Sequence, residues 1–121
     1  MDNNLEDLAA KLRSPEGCPW DRKQNFESMC EYIKEESEEV IEAVTKKDNE
    51  NLKEELGDLL FLIVMISQIA KEQELFDFSD VKKACAEKII ERHTWVFGED
   101  RDKVKTPEDA INLWKINKQK K

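Results

Sequence analysis

Histidine is almost missing from this chain, at one in 121 residues. Cysteine is scarce too, and Cys18, Cys30 and Cys85 form no Cys-x-x-Cys step. These shortages exclude a zinc site built from His and Cys, and a vicinal redox pair. They leave three reduced thiols, the usage expected in the cytoplasm. Glycine and proline number three each, so few positions interrupt long helices. The longest apolar run, Leu59 to Ile66, is far below the ~20 residues of a membrane span. No signal peptide is expected from the polar start Met1-Asp2-Asn3-Asn4. A basic excess is missing as well. Acids outnumber bases 28 to 20, for a formal charge of −8. Such a chain is a poor nucleic-acid binder, because phosphate contacts need clustered Lys and Arg. No membrane partner is expected either.

What is present is charge and helix periodicity. Charged residues make up 40% and hydrophobic ones 39%. The length suits a single domain over residues 1–121, small for a self-sufficient core. Five helical segments are predicted, and the fold class is an all-α bundle of four to five helices. The first runs from Leu5 to Arg13, capped by Asn3 or Asn4. Ser14 to Asp21 is broken by two prolines and a glycine. The second helix covers Asn25 to Lys47. The third reaches from Asp48 or Asn49, either of which can cap it, to about Glu74. Ser79 is the expected cap of the fourth, which ends near His93. Gly98 to Lys105 reads as a charged loop. Thr106-Pro107-Glu108-Asp109 is a strong start for the fifth, whose lysine-rich end is expected to fray.

The third helix carries an assembly signal. Leu59 to Ile66 is apolar on every side, and such a helix must be buried on every side. A second subunit is the simplest cover, so the core is expected to be completed by dimerisation, as a homodimer or homotetramer. Gly57 lies inside this helix, where it costs about 0.8–1 kcal/mol relative to alanine. Close approach of another helix and simple tolerance both account for it.

The acids cluster. Glu35-Glu36-Ser37-Glu38-Glu39 lies on the second helix and Glu55-Leu56-Gly57-Asp58 on the third. Each holds an acid–x–x–acid step, Glu36/Glu39 and Glu55/Asp58, and residues three apart share a helix face. On the helical wheel Met29, Ile33, Val40 and Val44 form one apolar stripe, flanked by Glu36, Glu39 and Ala43. Glu35, Glu38 and Glu42 fall on the far side. Leu52, Leu56, Leu59, Ile63 and Ile66 form the next stripe, flanked by Glu55, Asp58 and Leu62. A solvated face has no reason to aim matched pairs of acids partly inward. Four convergent carboxylates repel one another unless a cation sits among them. Hard oxygen donors suit Mg²⁺, with Mn²⁺ the substitute.

Glu35-Glu36-x-x-Glu39 followed by Glu55-x-x-Asp58 resembles the acidic signature of the all-α nucleoside triphosphate pyrophosphohydrolases. Cys18-Pro19-Trp20-Asp21 with Gln24, Gly57-Asp58-Leu59-Leu60-Phe61, Lys88 with Arg92-His93, Val96-Phe97, and Trp114 with Lys118 narrow the resemblance to the MazG family. These segments run from Leu12 to Lys118. Two departures stand out: one domain where many members carry two, and Thr94 where a proline often follows the histidine.

The resemblance implies Mg²⁺-dependent hydrolysis of an NTP or dNTP to the monophosphate and pyrophosphate, in nucleotide-pool cleansing or control. By matching positions, Glu36, Glu39, Glu55 and Asp58 are the implied catalytic and metal-holding residues. Glu35 belongs to the motif, but the wheel turns it outward, in a supporting role. One carboxylate can instead orient the water; which one is open. Lys88 and Arg92, four apart on one helix face, are the implied clamp for the distal phosphates, although ordinary surface charge shows the same spacing. Trp114 can stack on a base or belong to the core, and Lys118 can reach a phosphate. Trp20 is expected to anchor the broken loop by packing, although this loop can also line the nucleotide pocket, and His93 to make a structural hydrogen bond or touch phosphate. A non-catalytic nucleotide- or metal-binding module that regulates a partner is the alternative. A di-iron bundle is excluded, because it needs Glu-x-x-His and Ile90 stands three before His93.

Overall fold

The computed structural model describes residues 4–120. They form seven α-helices and one 3-10 turn, with no strand among the described residues. Contacts divide the chain into two compact units, one ending at Phe78 and the other beginning at Ser79.

The first unit contains α1 (Leu5–Leu12), α2 (Pro19–Lys23), α3 (Phe26–Thr45) and α4 (Asn49–Glu72). Asn4 caps α1, its side chain accepting from the N–H groups of Glu6 and Asp7; Asn3 lies outside the described residues. Pro19, read from sequence as a breaker, starts a short helix instead. It stands at the first position of α2, where its missing N–H is no loss. Asn25 and Ser28 form a reciprocal capping box at the start of α3. Asp48, rather than Asn49, caps α4 by accepting from Asn51 N–H at 3.2 Å. Between α3 and α4 the chain turns on Lys47, at φ 57°. Asp48 N–H then reaches Ala43 O and Lys47 N–H reaches Val44 O, which closes α3 tightly and makes a helical hairpin.

Ala9, Met29, Val64, Met65 and Ile69 form the core of this unit. The inward face of α3 differs from the expected stripe. Met29 and Ala43 are buried, whereas Val44 is 56% exposed. On α4 the expected stripe is also displaced: Leu56 and Ile63 are exposed, as is Leu60, while Val64, Met65, Ser67, Ile69 and Ala70 are buried. Gly57 has open space where a Cβ would stand, so no close approach among the described residues explains it. Gly17 is different: a Cβ there would collide with the carbonyl oxygens of Lys11 and Leu12.

Arg13 ties the broken loop down. Its guanidinium donates to both Glu72 oxygens, at 2.7 and 2.8 Å, and to the carbonyls of Asp21 and Gln24, at 2.6 and 3.0 Å. Gln24 is buried, donating from Nε2 to Trp20 O at 2.9 Å and accepting from Ser28 Oγ at 2.7 Å.

The second unit begins one residue into α5 (Phe78–Arg92). It continues through α6 (Thr94–Phe97), the 3-10 turn Arg101–Lys103 and α7 (Pro107–Gln119). Ser79 is inside α5 rather than capping it. The charged loop holds the 3-10 turn. Thr106 caps α7, accepting from Asp109 N–H at 3.1 Å, with Pro107 at the first position. Among the described residues of this unit, Asn117 alone is buried. No helix among the described residues is long and apolar enough to cross a membrane.

Candidate active site

Tyr32, Glu36, Glu39 and Ala43 recur at three- and four-residue steps along α3 and therefore share a face. Met29 and Ala43, on that face, are buried, so Glu36 between them points inward. The antiparallel hairpin brings Glu55 of α4 opposite. One carboxylate oxygen from each of Glu36, Glu39 and Glu55 lies within 4.8 Å of the others. Asp58 is not part of that triplet. It lines the same cavity, of about 320 Å³, together with Tyr32, Glu35, Glu36, Glu39, Phe61 and Leu62. Glu35 is exposed but sits on this rim. Glu38 and Glu42 are exposed, and Glu42 pairs with Lys46 at 2.5 Å.

The cluster is electrostatically unbalanced. Glu36 Oε2 is buried with no hydrogen-bond partner. Burial first, then the charges of Glu39 and Asp58, raise the Glu36 carboxyl above its ordinary range, although its hydrogen bond with Glu55 opposes the rise. The hydrogen bond to Glu36, then desolvation and the charges of Glu36 and Glu39, hold Glu55 up to about 8. Burial and a neighbouring anion disfavour ionisation in the same direction.

One residue of this cavity, Tyr32, went unread in the sequence; Phe61 stood in a family segment and Leu62 beside Glu55 and Asp58, neither of them as a site residue. Tyr32 was findable, because it precedes Glu36 by four. Trp20, expected to anchor the broken loop by packing, lies at the surface. It is half exposed, and its ring meets that of Tyr32 edge-on at 5.2 Å.

The cationic residues belong to the second unit. Arg92 Cζ and Lys118 Nζ each lie 5.2 Å from the centre of the Trp114 ring, a cation–π distance for both. The structure thus brings Arg92, Trp114 and Lys118 together, with Trp114 half-buried. Lys88 is exposed one turn before Arg92 on α5. His93 Nδ1 is 2.7 Å from Ile89 O. The carbonyl only accepts, so Nδ1 is the donor. Asn117 and Thr94, beside this group, were not singled out as a pair in the sequence.

Residues 24–97 match the MazG nucleotide pyrophosphohydrolase domain. The chain is 50% identical over 95 residues to the nucleoside triphosphate pyrophosphohydrolase/pyrophosphatase MazG of Thermotoga maritima, covering 78% of this chain and 37% of that protein. It is 42% identical over 98 residues to the nucleoside triphosphate pyrophosphohydrolase of Escherichia coli K12, covering 80% of this chain and 37% of that protein. It therefore spans well under half the length of these relatives. The crystal structure of a mazG-related protein from Thermotoga maritima matches with a TM-score of 0.77 at 34% identity, over 98% of this chain and all of that one. The acidic hairpin, the domain match and the structural match agree: this chain belongs to the MazG family.

Proposed function

We propose that this chain hydrolyses nucleoside triphosphates, NTP or dNTP, to the monophosphate and pyrophosphate, in cytoplasmic nucleotide-pool cleansing or control. The observation that carries the reading is Glu36, an inward carboxylate with a buried, partnerless oxygen, set against Glu39 and Glu55. An all-oxygen donor set with no nearby basic side chain among its lining residues fits a hard divalent ion. Glu36, Glu39, Glu55 and Asp58 would hold Mg²⁺ or Mn²⁺, and Glu35 would support them from the rim. When bound, the ion neutralises phosphate charge and acidifies the attacking water.

The chain's own groups do the rest. One of the four carboxylates takes the proton as water oxygen bonds to the α-phosphorus. The bond from that phosphorus to the bridging oxygen breaks, and pyrophosphate leaves. Lys88, Arg92 and Lys118 neutralise the distal phosphates, and Trp114 offers a stacking face. The chain assembles as a homodimer or homotetramer in this reading. Leu56, Leu60 and Ile63 of α4, and Ile41 and Val44 of α3, are exposed apolar side chains that support this assembly.

Product analysis tests the reading. NTPs and dNTPs with Mg²⁺ in ¹⁸O-water should give labelled monophosphate and unlabelled pyrophosphate, and EDTA should stop the reaction. Release of orthophosphate, or binding of triphosphate without turnover, would overturn it; the second result would identify a regulatory module.

A further inference from the structure

Ala110, Leu113, Trp114 and Asn117 occupy the i, i+3, i+4 and i+7 positions of one α7 face. The last is an amide where an aliphatic side chain would ordinarily stand. Asn117 is only 7% exposed. Its Nδ2 donates to Arg92 O at 3.2 Å and to Thr94 Oγ1 at 2.9 Å, which occupies both amide hydrogens. Thr94 gives its single hydroxyl proton to Asp100 Oδ2 at 2.7 Å, so its lone pairs are left to face Asn117. Lys103 Nζ holds the other oxygen of Asp100 at 3.1 Å. Every bond in the relay therefore has a fixed direction, from Asn117 to Thr94 to Asp100.

The relay is costly. Asn117 Oδ1 is buried with no partner, and such a group loses its hydration without compensation. Leucine would fill this space without an orphaned oxygen. What leucine cannot do is bond the Arg92 carbonyl, one of the terminal carbonyls that a helix leaves without an internal donor. Arg92 is the last residue of α5. Asn117 follows Trp114 by three residues and precedes Lys118 by one. One amide thus couples the end of α5 to the part of α7 that carries Trp114 and Lys118.

We propose that Asn117, oriented by Thr94, is a positioning residue. It holds Arg92 against Trp114 in the arrangement that receives the distal phosphates of a nucleoside triphosphate. This rests on the phosphate role proposed above for Arg92. Leucine at 117 or valine at 94 leaves the carbonyl of Arg92 unpinned and lets its guanidinium wander from the ring. Serine at 94 keeps the hydroxyl and the relay.

Two readouts test this, one independent of activity. Protein made with 5-fluorotryptophan should show one ¹⁹F resonance for each of its three tryptophans, assigned by Trp→Phe replacement. Arg92→Ala should shift the Trp114 resonance in the parent and shift it little in the Asn117→Leu or Thr94→Val background. An Arg92→Ala shift of the same size in all backgrounds overturns the positioning role. In steady-state assays Asn117→Leu and Thr94→Val should raise KM for the triphosphate about tenfold, the loss of roughly one charge-assisted contact. Their kcat should stay within about twofold, and Thr94→Ser should behave as the parent. A fall in kcat at unchanged KM, or a Thr94→Ser variant as impaired as Thr94→Val, also overturns it. If the ¹⁹F coupling is present but neither Arg92→Ala nor Asn117→Leu changes KM, the phosphate role of Arg92 fails while the coupling stands.

Discussion

Glu36 and Glu42 are the same residue type on the same helix, six positions apart, and only their surroundings separate them. Glu36 is pushed up by burial and faces other acids; Glu42 is exposed, and its hydrogen bond to Lys46 holds it down. A pH dependence follows. The folded carboxyl of Glu55, raised to about 8, binds a proton that the unfolded chain releases near pH ~4.5. The folded state therefore binds more protons between those values, and stability falls as pH rises through them. Thermal melts without metal should give a lower midpoint at pH 8 than at pH 5.5, and Mg²⁺ should remove the difference. A metal-free midpoint that rises over that interval would show that Glu36 and Glu55 do not face each other as described. Arg13 is the opposite case, a charge with every partner in place. Arg13→Ala should cost about 1–3 kcal/mol in urea unfolding, since it strands two carbonyls and Glu72. A variant within ~0.5 kcal/mol of the parent would reduce the tie to a surface contact.

At the scale of elements, periodicity was enough to read the long helices, and punctuation was harder. The cap at Thr106 was legible because Thr-Pro followed by acids precedes a helix-forming run there, whereas Asn25 marked only where the second helix begins. Pro19 was misread because proline ends a helix from inside but begins one at its first position, and sequence does not reveal which side it is on. The α3 wheel was turned by weighting Val40 and Val44. The true inward face contains Tyr32 and Glu36, and a wheel that scores apolarity turns away from an inward carboxylate. For the same reason Asn117, polar on an apolar stripe, was passed over. Gly57 offers a prediction at this scale. With open space at its Cβ position, Gly57→Ala should stabilise the protein by up to about 1 kcal/mol, read from the urea midpoint. A loss of stability would mean that another copy's backbone passes over that turn of α4.

For the whole molecule, the family and the all-α class were legible from the acidic signature and its companions, whereas assembly and metal are properties that one chain alone does not display. The proposed second copy rests on the exposed apolar side chains of α3 and α4. Sedimentation at low micromolar concentration should give a dimer or tetramer, and Leu60→Glu should dissociate it; a monodisperse, folded parent monomer would remove the second copy from the proposal. The central claim is that the α3–α4 carboxylates are a metal site and not a solvated acidic face. Mn²⁺ binding followed by electron paramagnetic resonance tests it most directly, comparing the parent with Glu36→Gln and Glu42→Gln. The claim predicts saturable binding in the parent and Glu42→Gln that is lost or weakened at least about tenfold in Glu36→Gln; equal binding by all three proteins would contradict it.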